Sequence, residues 1–150
     1  SELIQLIYEY NMSDRILLLG QRDDVPQILP HANISVVPTE LPEALCGVNI
    51  EAMAAKVPVV ATKVGSIEEV VEDGKTGLLV EPANPKDMAD AIIRILRNDN
   101  LACELACSGY ERFLLKFTAQ NMAAYIEQVY GKLLNVMTFS SLENVTDKKQ

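Results

Sequence analysis

A chain of 150 residues, 49% apolar and 23% charged, holds enough apolar material for a buried core and is neither disordered nor fibrous. Its net charge of −8 excludes the usual nucleic-acid binder, which draws affinity from Lys and Arg meeting phosphates. The longest apolar stretches, Val57 to Thr62 and Gly77 to Val80, fall far short of the ~20 residues needed to span a bilayer.

Leu3, Ile4, Leu6, Ile7 and Tyr10 recur at helical spacing after Ser1, a capping residue, so the chain is expected to open with a helix. Arg15 to Leu19 then reads as a buried strand ending at Gly20. After the polar turn Gln21-Arg22-Asp23-Asp24, a short helix runs to about Ala32, and a second strand, Ile34 to Val37, stops at Pro38. A loop with Pro42 and Gly47 leads into a helix through Ile50, Ala52, Met53 and Ala54, then a third apolar run, Val57 to Ala61. A short helix near Ile67 to Glu72 and the turn Asp73 to Gly77 precede a fourth run, Leu78-Leu79-Val80. Asn84 and Pro85 supply a cap and a first-turn proline for the helix carrying Met88, Ala89, Ile92, Ile93 and Leu96, and Asp87 suits its positive end. A helix from about Leu101 to Leu115 follows. Thr118 caps the last, whose apolar stripe is Met122, Tyr125, Ile126, Val129, Tyr130 and Leu133. From Asn135 the chain turns polar and loses its period. Residues 1–134 therefore read as one domain and 135–150 as a flexible tail.

Short, nearly continuous β-branched runs separated by helices predict an α/β fold with a doubly wound, Rossmann-like parallel sheet covered on both faces. Three unpatterned cysteines, Cys46, Cys103 and Cys107, suit a reducing compartment, so a cytoplasmic location is expected. Cys103 and Cys107 share a helix face, but with His31 as the single histidine they read as small buried side chains rather than zinc ligands. Asn11, Asn33 and Asn144 begin Asn-x-Ser/Thr triplets that matter only in a secreted protein, and Ser1 to Gln5 lacks the pattern of a signal peptide. Gly74-Lys75-Thr76 resembles the end of a phosphate-binding loop. The required earlier glycine is replaced by Glu69, so a tight turn is expected there. Nothing around His31 suggests a catalytic triad.

The segment Pro42 to Ala54 links a strand's carboxyl end to a helix, the place where open α/β sheets bind ligands and where unpaired N–H groups favour an anion. Glu43 in the loop and Glu51 in the first turns of the helix put two carboxylates at that crevice. A carboxylate can accept from both hydroxyls of a sugar diol, each charge-assisted bond being worth roughly 1.5–3 kcal/mol. The alternative is that Glu51 merely complements the helix dipole, worth about 0.3–1 kcal/mol, and that Glu43 is a solvated loop residue.

Glu43-x7-Glu51, set in Pro-Glu…Glu-Ala-Met-Ala and followed by Pro58-Val59-Val60-Ala61-Thr62, resembles the E-x7-E signature of the large retaining glycosyltransferase family of GT-B fold, the glycosyl transferases group 1 or family 4-like enzymes. The similarity continues through Gly65 and Glu69 to Val80 and on to the helix Thr118 to Leu134. The resemblance implies the carboxy-terminal, donor-binding half of such an enzyme, transferring a sugar from a nucleoside diphosphate sugar to an acceptor hydroxyl. Glu51 would hold the donor's ribose hydroxyls, and Glu43 would sit by the transferred sugar and steady developing positive charge. The backbone of Leu45, Cys46, Gly47 and Val48 would face the diphosphate, and Gly20, Gln21 and Arg22 would border the base. It implies no metal or other cofactor. The expected partners are a nucleotide sugar, an acceptor glycan or lipid-linked sugar, and an amino-terminal domain of a longer protein that associates peripherally with a membrane.

Two departures accompany the resemblance. Where the family shows Gly-Phe-Gly after the first Glu, this chain has Ala44-Leu45-Cys46, and a Cβ at Cys46 restricts close approach to phosphate. The family's Arg and Lys that neutralise the diphosphate have no match here, leaving Arg22, Lys56 and Lys63 as local cations. If the order 3-2-1-4-5-6 applies, the first two strands are missing between Arg15–Leu19 and Ile34–Val37. Two rival readings are a nucleotide-sugar epimerase or hydrolase of the same fold, and a non-catalytic binding module.

Overall fold

A computed structural model describes residues 2–42 and 45–146, with side-chain surroundings described as far as Leu134. Ser1, the expected first cap, lies outside the described residues. Helix α1 (Glu2–Glu9) is followed by a turn in which Asn11 takes a left-handed backbone, φ 55°. The short helix α2 (Val25–Ile28), with proline in its first turn, tightens into a 3-10 turn over Leu29–His31 and ends at Ala32. Strand β1 (Ser35–Val37) leads to α3 (Gly47–Ala54), β2 (Val59–Thr62), α4 (Ile67–Val70) and β3 (Leu78–Val80). Three longer helices close the chain: α5 (Pro85–Leu96), α6 (Asp99–Lys116) and α7 (Ala119–Thr146).

The three strands are parallel in the order β1-β2-β3, with Ser35 opposite Val59 and Val60 opposite Leu78. Because side chains alternate across a strand, the sheet feeds two separate cores. Val59, Ala61 and Leu79 pack with Ala52 and Met53 of α3 and Ile67 and Val70 of α4. Val60, Leu78 and Val80 pack with Met88 and Ile95 of α5 and Leu105 of α6. This is the doubly wound arrangement that the β-branched runs predict. The expected caps are also formed. The Asp87 N–H donates to Asn84 Oδ1 (3.2 Å), and the Asn121 N–H to Thr118 Oγ1 (3.3 Å). Asn98, not anticipated as a cap, accepts from the Leu101 N–H at 3.0 Å.

The turn into β3 is tightly built. Gly74 (φ 72°) donates its N–H to the Gly77 carbonyl, Asp73 accepts from the Leu79 N–H, and buried Thr76 accepts from the Glu72 N–H through its hydroxyl. It is a turn, as expected, rather than a phosphate-binding loop. A Cβ at Gly77 would stand 2.7 Å from Val71 Cγ1 and 2.9 Å from the Val59 carbonyl oxygen, so only glycine lets β3 approach β2 here. Arg112 of α6 then reaches across to the end of α4, donating to the carbonyls of Val70 (2.7 Å) and Glu69 (2.7 Å) and pairing with Glu72. It satisfies carbonyls that a helix end leaves open.

Three expectations need correction. Arg15–Leu19 is not a strand: residues 16–19 pair with nothing in the sheet and are exposed, Leu17 by 79%. Among the described residues the apolar run has no neighbouring strand to bond to, and β1, at the sheet's edge, is bonded to β2 alone. Cys103 and Cys107 are exposed rather than buried, because α6 turns Leu105, Ala106 and Gly109 inward instead. Finally, α7 stays helical through residues 135–146, past the point where the period fades; residues 147–150 lie outside the described residues.

Candidate functional site

Helix α3 starts at the end of the loop that leaves β1. Beyond its own helix and chain neighbours, a Cβ on its first residue, Gly47, would meet no atom of the described residues within 4 Å, and Leu45 and Val48 on either side are exposed. The helix start is therefore open to solvent. Cys46 caps it without a side-chain bond to the helix and is itself 2% exposed, its side chain being taken into the α3–α4 core. The bulk that departs from the family's glycine thus points inward, away from the open helix end. Glu43 lies outside the described residues.

Glu51 sits one turn further along α3 and is exposed. It lines a hollow of about 280 Å³ with Ala54 of its own helix, the capping residue Ala55, and Pro26, Leu29 and Pro30 of the α2 segment. The walls are thus apolar and the rim carries a carboxylate. The two prolines and Leu29 were not singled out from the sequence, because their approach to α3 depends on how α2 crosses the chain. Gly20, Gln21 and Arg22 lie in the stretch leading to α2 and are exposed; Gly20 has φ 66° and does not line this hollow. Leu45 lines a different hollow, of about 530 Å³, with Ile50, Phe117, Met122 and Tyr125. A third, of about 390 Å³, lies beyond the carboxyl ends of the strands between Pro38, Thr62, Ala83 and α5.

The local cations are already engaged. The Arg22 guanidinium bonds both carboxylate oxygens of Asp24, at 2.7 and 2.5 Å, which raises its own pKa and holds the Asp24 carboxyl below the ordinary range. Lys56 lies 4.5 Å over the Tyr110 ring, and Lys63 pairs with Glu81 at 3.6 Å. Asn49, in the first turn of α3, is fully buried, and among the described residues neither its amide nitrogen nor its oxygen has a hydrogen-bond partner. An asparagine facing the core of an apolar helix was the available signal in the sequence. His31 is exposed at the end of the 3-10 turn.

The family model of glycosyl transferases group 1 matches residues 1–112. The chain belongs to that family. It is 30% identical over 132 residues to N-acetyl-alpha-D-glucosaminyl L-malate synthase of Bacillus anthracis, covering 88% of this chain and 34% of that protein. Among solved structures, sucrose-phosphate synthase from Thermosynechococcus elongatus superposes with a TM-score of 0.82 at 36% identity, over 90% of this chain and 34% of the other. Anabaena Alr3699/HepE in complex with UDP-glucose superposes with a TM-score of 0.83 at 27% identity, over 87% of this chain and 36% of the other. The chain thus spans about a third of the length of the family members it matches. Its sheet and helices match GT-B glycosyltransferase carboxy-terminal domains. No helix among the described residues is long and apolar enough to cross a membrane.

Proposed function

We propose that this chain is the donor-binding part of a glycosyltransferase that moves a sugar from a nucleoside diphosphate sugar to an acceptor hydroxyl with retention of anomeric configuration. The observation that carries this reading is Glu51 on the rim of an apolar-walled hollow, one turn behind an uncovered helix start, in a member of this family. A carboxylate there accepts from both ribose hydroxyls, while the α3 start, with the backbone of Leu45 to Val48, faces the diphosphate. Gly20 to Arg22 border the base. Glu43, eight residues before Glu51, serves the transferred sugar and offsets positive charge developing on it. No metal or other cofactor takes part. The complex of a relative with UDP-glucose supports a nucleotide sugar as the ligand class.

The acceptor, a glycan or lipid-linked sugar, falls to the amino-terminal domain of a longer cytoplasmic enzyme that associates peripherally with a membrane. Three cysteines, none of them in a disulfide among the described residues, agree with such a compartment. Two further strands complete the sheet between residues 16–19 and β1. The support for them is the exposed apolar run on one side and the strand at the sheet's edge on the other.

Titration calorimetry of the longer protein with several nucleoside diphosphates tests the reading. Glu51→Ala should weaken binding about tenfold to 150-fold, the equivalent of roughly 1.5–3 kcal/mol. Indifference to that change would leave a non-catalytic module as the better description. Release of free sugar in place of a new glycosidic bond would favour the hydrolase. The isolated chain should transfer no sugar.

A further inference from the structure

Away from α3, helix α6 presents Cys103 and Cys107 on one exposed face, one turn apart, with their Sγ atoms 3.8 Å from each other. Two chemistries are open to neighbouring thiols, and distance decides between them. A direct disulfide needs Cβ atoms about 3.5–4.5 Å apart. Positions four apart on an α-helix hold them about 5–6 Å apart, so closing the bond means unwinding a turn of α6. A single bridging ion needs no such movement. Two sulfurs each about 2.3 Å from a tetrahedral cation stand about 3.8 Å apart, the separation already present.

We propose that Cys103 and Cys107 form a surface dithiolate site for one soft, d10 divalent cation of the zinc and cadmium class. Binding forms two sulfur–metal bonds and sends two thiol protons to solvent, with no change of oxidation state. The thiols share a hydrogen bond in the free protein, and this contact pushes the Cys107 thiol up from its ordinary value. Lys56 and Glu111 are the charges that act on Cys107, the first favouring the thiolate and the second opposing it. Among the described residues no group of three or more His, Cys, Asp or Glu converges. Water or an added thiol therefore takes the ion's other two positions. The site is an open chelating pair, separate from the Glu51 hollow and independent of the glycosyltransferase reading.

The test is a titration of the full chain, reduced with a phosphine, with Cd²⁺, followed by the ultraviolet thiolate-to-cadmium charge-transfer band and by proton release. The band should saturate at one Cd²⁺ per chain and disappear in Cys103→Ser and in Cys107→Ser. Both side chains are exposed, so the helical circular dichroism should be unchanged. Cys107→Ser combined with Ser108→Cys keeps two thiols on α6 but off their shared face, and should weaken binding by about tenfold or more. A wild-type chain with no band overturns the proposal, as does a band that persists in the Cys103→Ser/Cys107→Ser variant. Rapid closure to an intrahelical disulfide by glutathione disulfide, with helicity intact, would overturn the geometric reason for preferring an ion.

Discussion

Val59–Thr62 and residues 16–19 are both short apolar runs, and they meet opposite fates. The first is buried throughout, bonded on both edges, and supplies side chains to two cores. The second stands exposed, with no strand of the described residues beside it. The contrast teaches that an apolar run records a tendency to be buried, while the strand itself exists only where neighbours complete its hydrogen bonds.

The most severe way to break the closed half is Gly77→Ala. The added methyl group would meet the Val59 carbonyl and Val71 at under 3 Å, so it should cost about 3 kcal/mol or more in thermal unfolding. A loss below about 1 kcal/mol would mean that β2 and β3 yield more easily than their packing implies. Arg112→Ala should come next, at about 2–3 kcal/mol by urea denaturation, because two carbonyls at the end of α4 lose a charged donor. Arg112→Lys should recover little, since an ammonium lacks the planar fork that reaches several acceptors at once. Asn49→Leu should stabilise by about 1 kcal/mol, because it removes a buried amide with no partner among the described residues. A destabilised variant would instead show that the amide is engaged in solution. The smallest effect belongs to the open half. Leu17→Ser should change the stability of this chain by less than about 0.5 kcal/mol. The same change in the longer protein should cost about 2 kcal/mol or more if the two proposed strands cover it.

Much of the fold was legible because its signals are local. The runs at β1, β2 and β3, the Asn84–Pro85 start of α5 and the Thr118 cap of α7 each declare themselves within a few residues. What escaped depends on residues far apart. Residues 16–19 look like β2 in isolation, and Cys103 and Cys107 look like core until Leu105 and Gly109 claim the inner face of α6. Within the candidate site, the Glu43–Glu51 spacing could be read along the chain. The walls of the Glu51 hollow could not, because Pro26, Leu29 and Pro30 arrive from a segment more than a dozen residues upstream of α3. Nor could the engagement of Lys56 by Tyr110, 54 positions later in the numbering (110 − 56).

A helix of four residues such as α4 could not persist alone in water, where helices shorter than ~12–15 residues are marginal. Its tether to Arg112 ties its lifetime to that of the 18-residue α6. Breathing of this corner therefore requires a sub-global opening rather than a local fray. Amide deuterium uptake at Val71 and Thr76 should consequently keep pace with the slow amides of α6, even though the neighbouring surface at Glu68 and Gly74 is freely wetted.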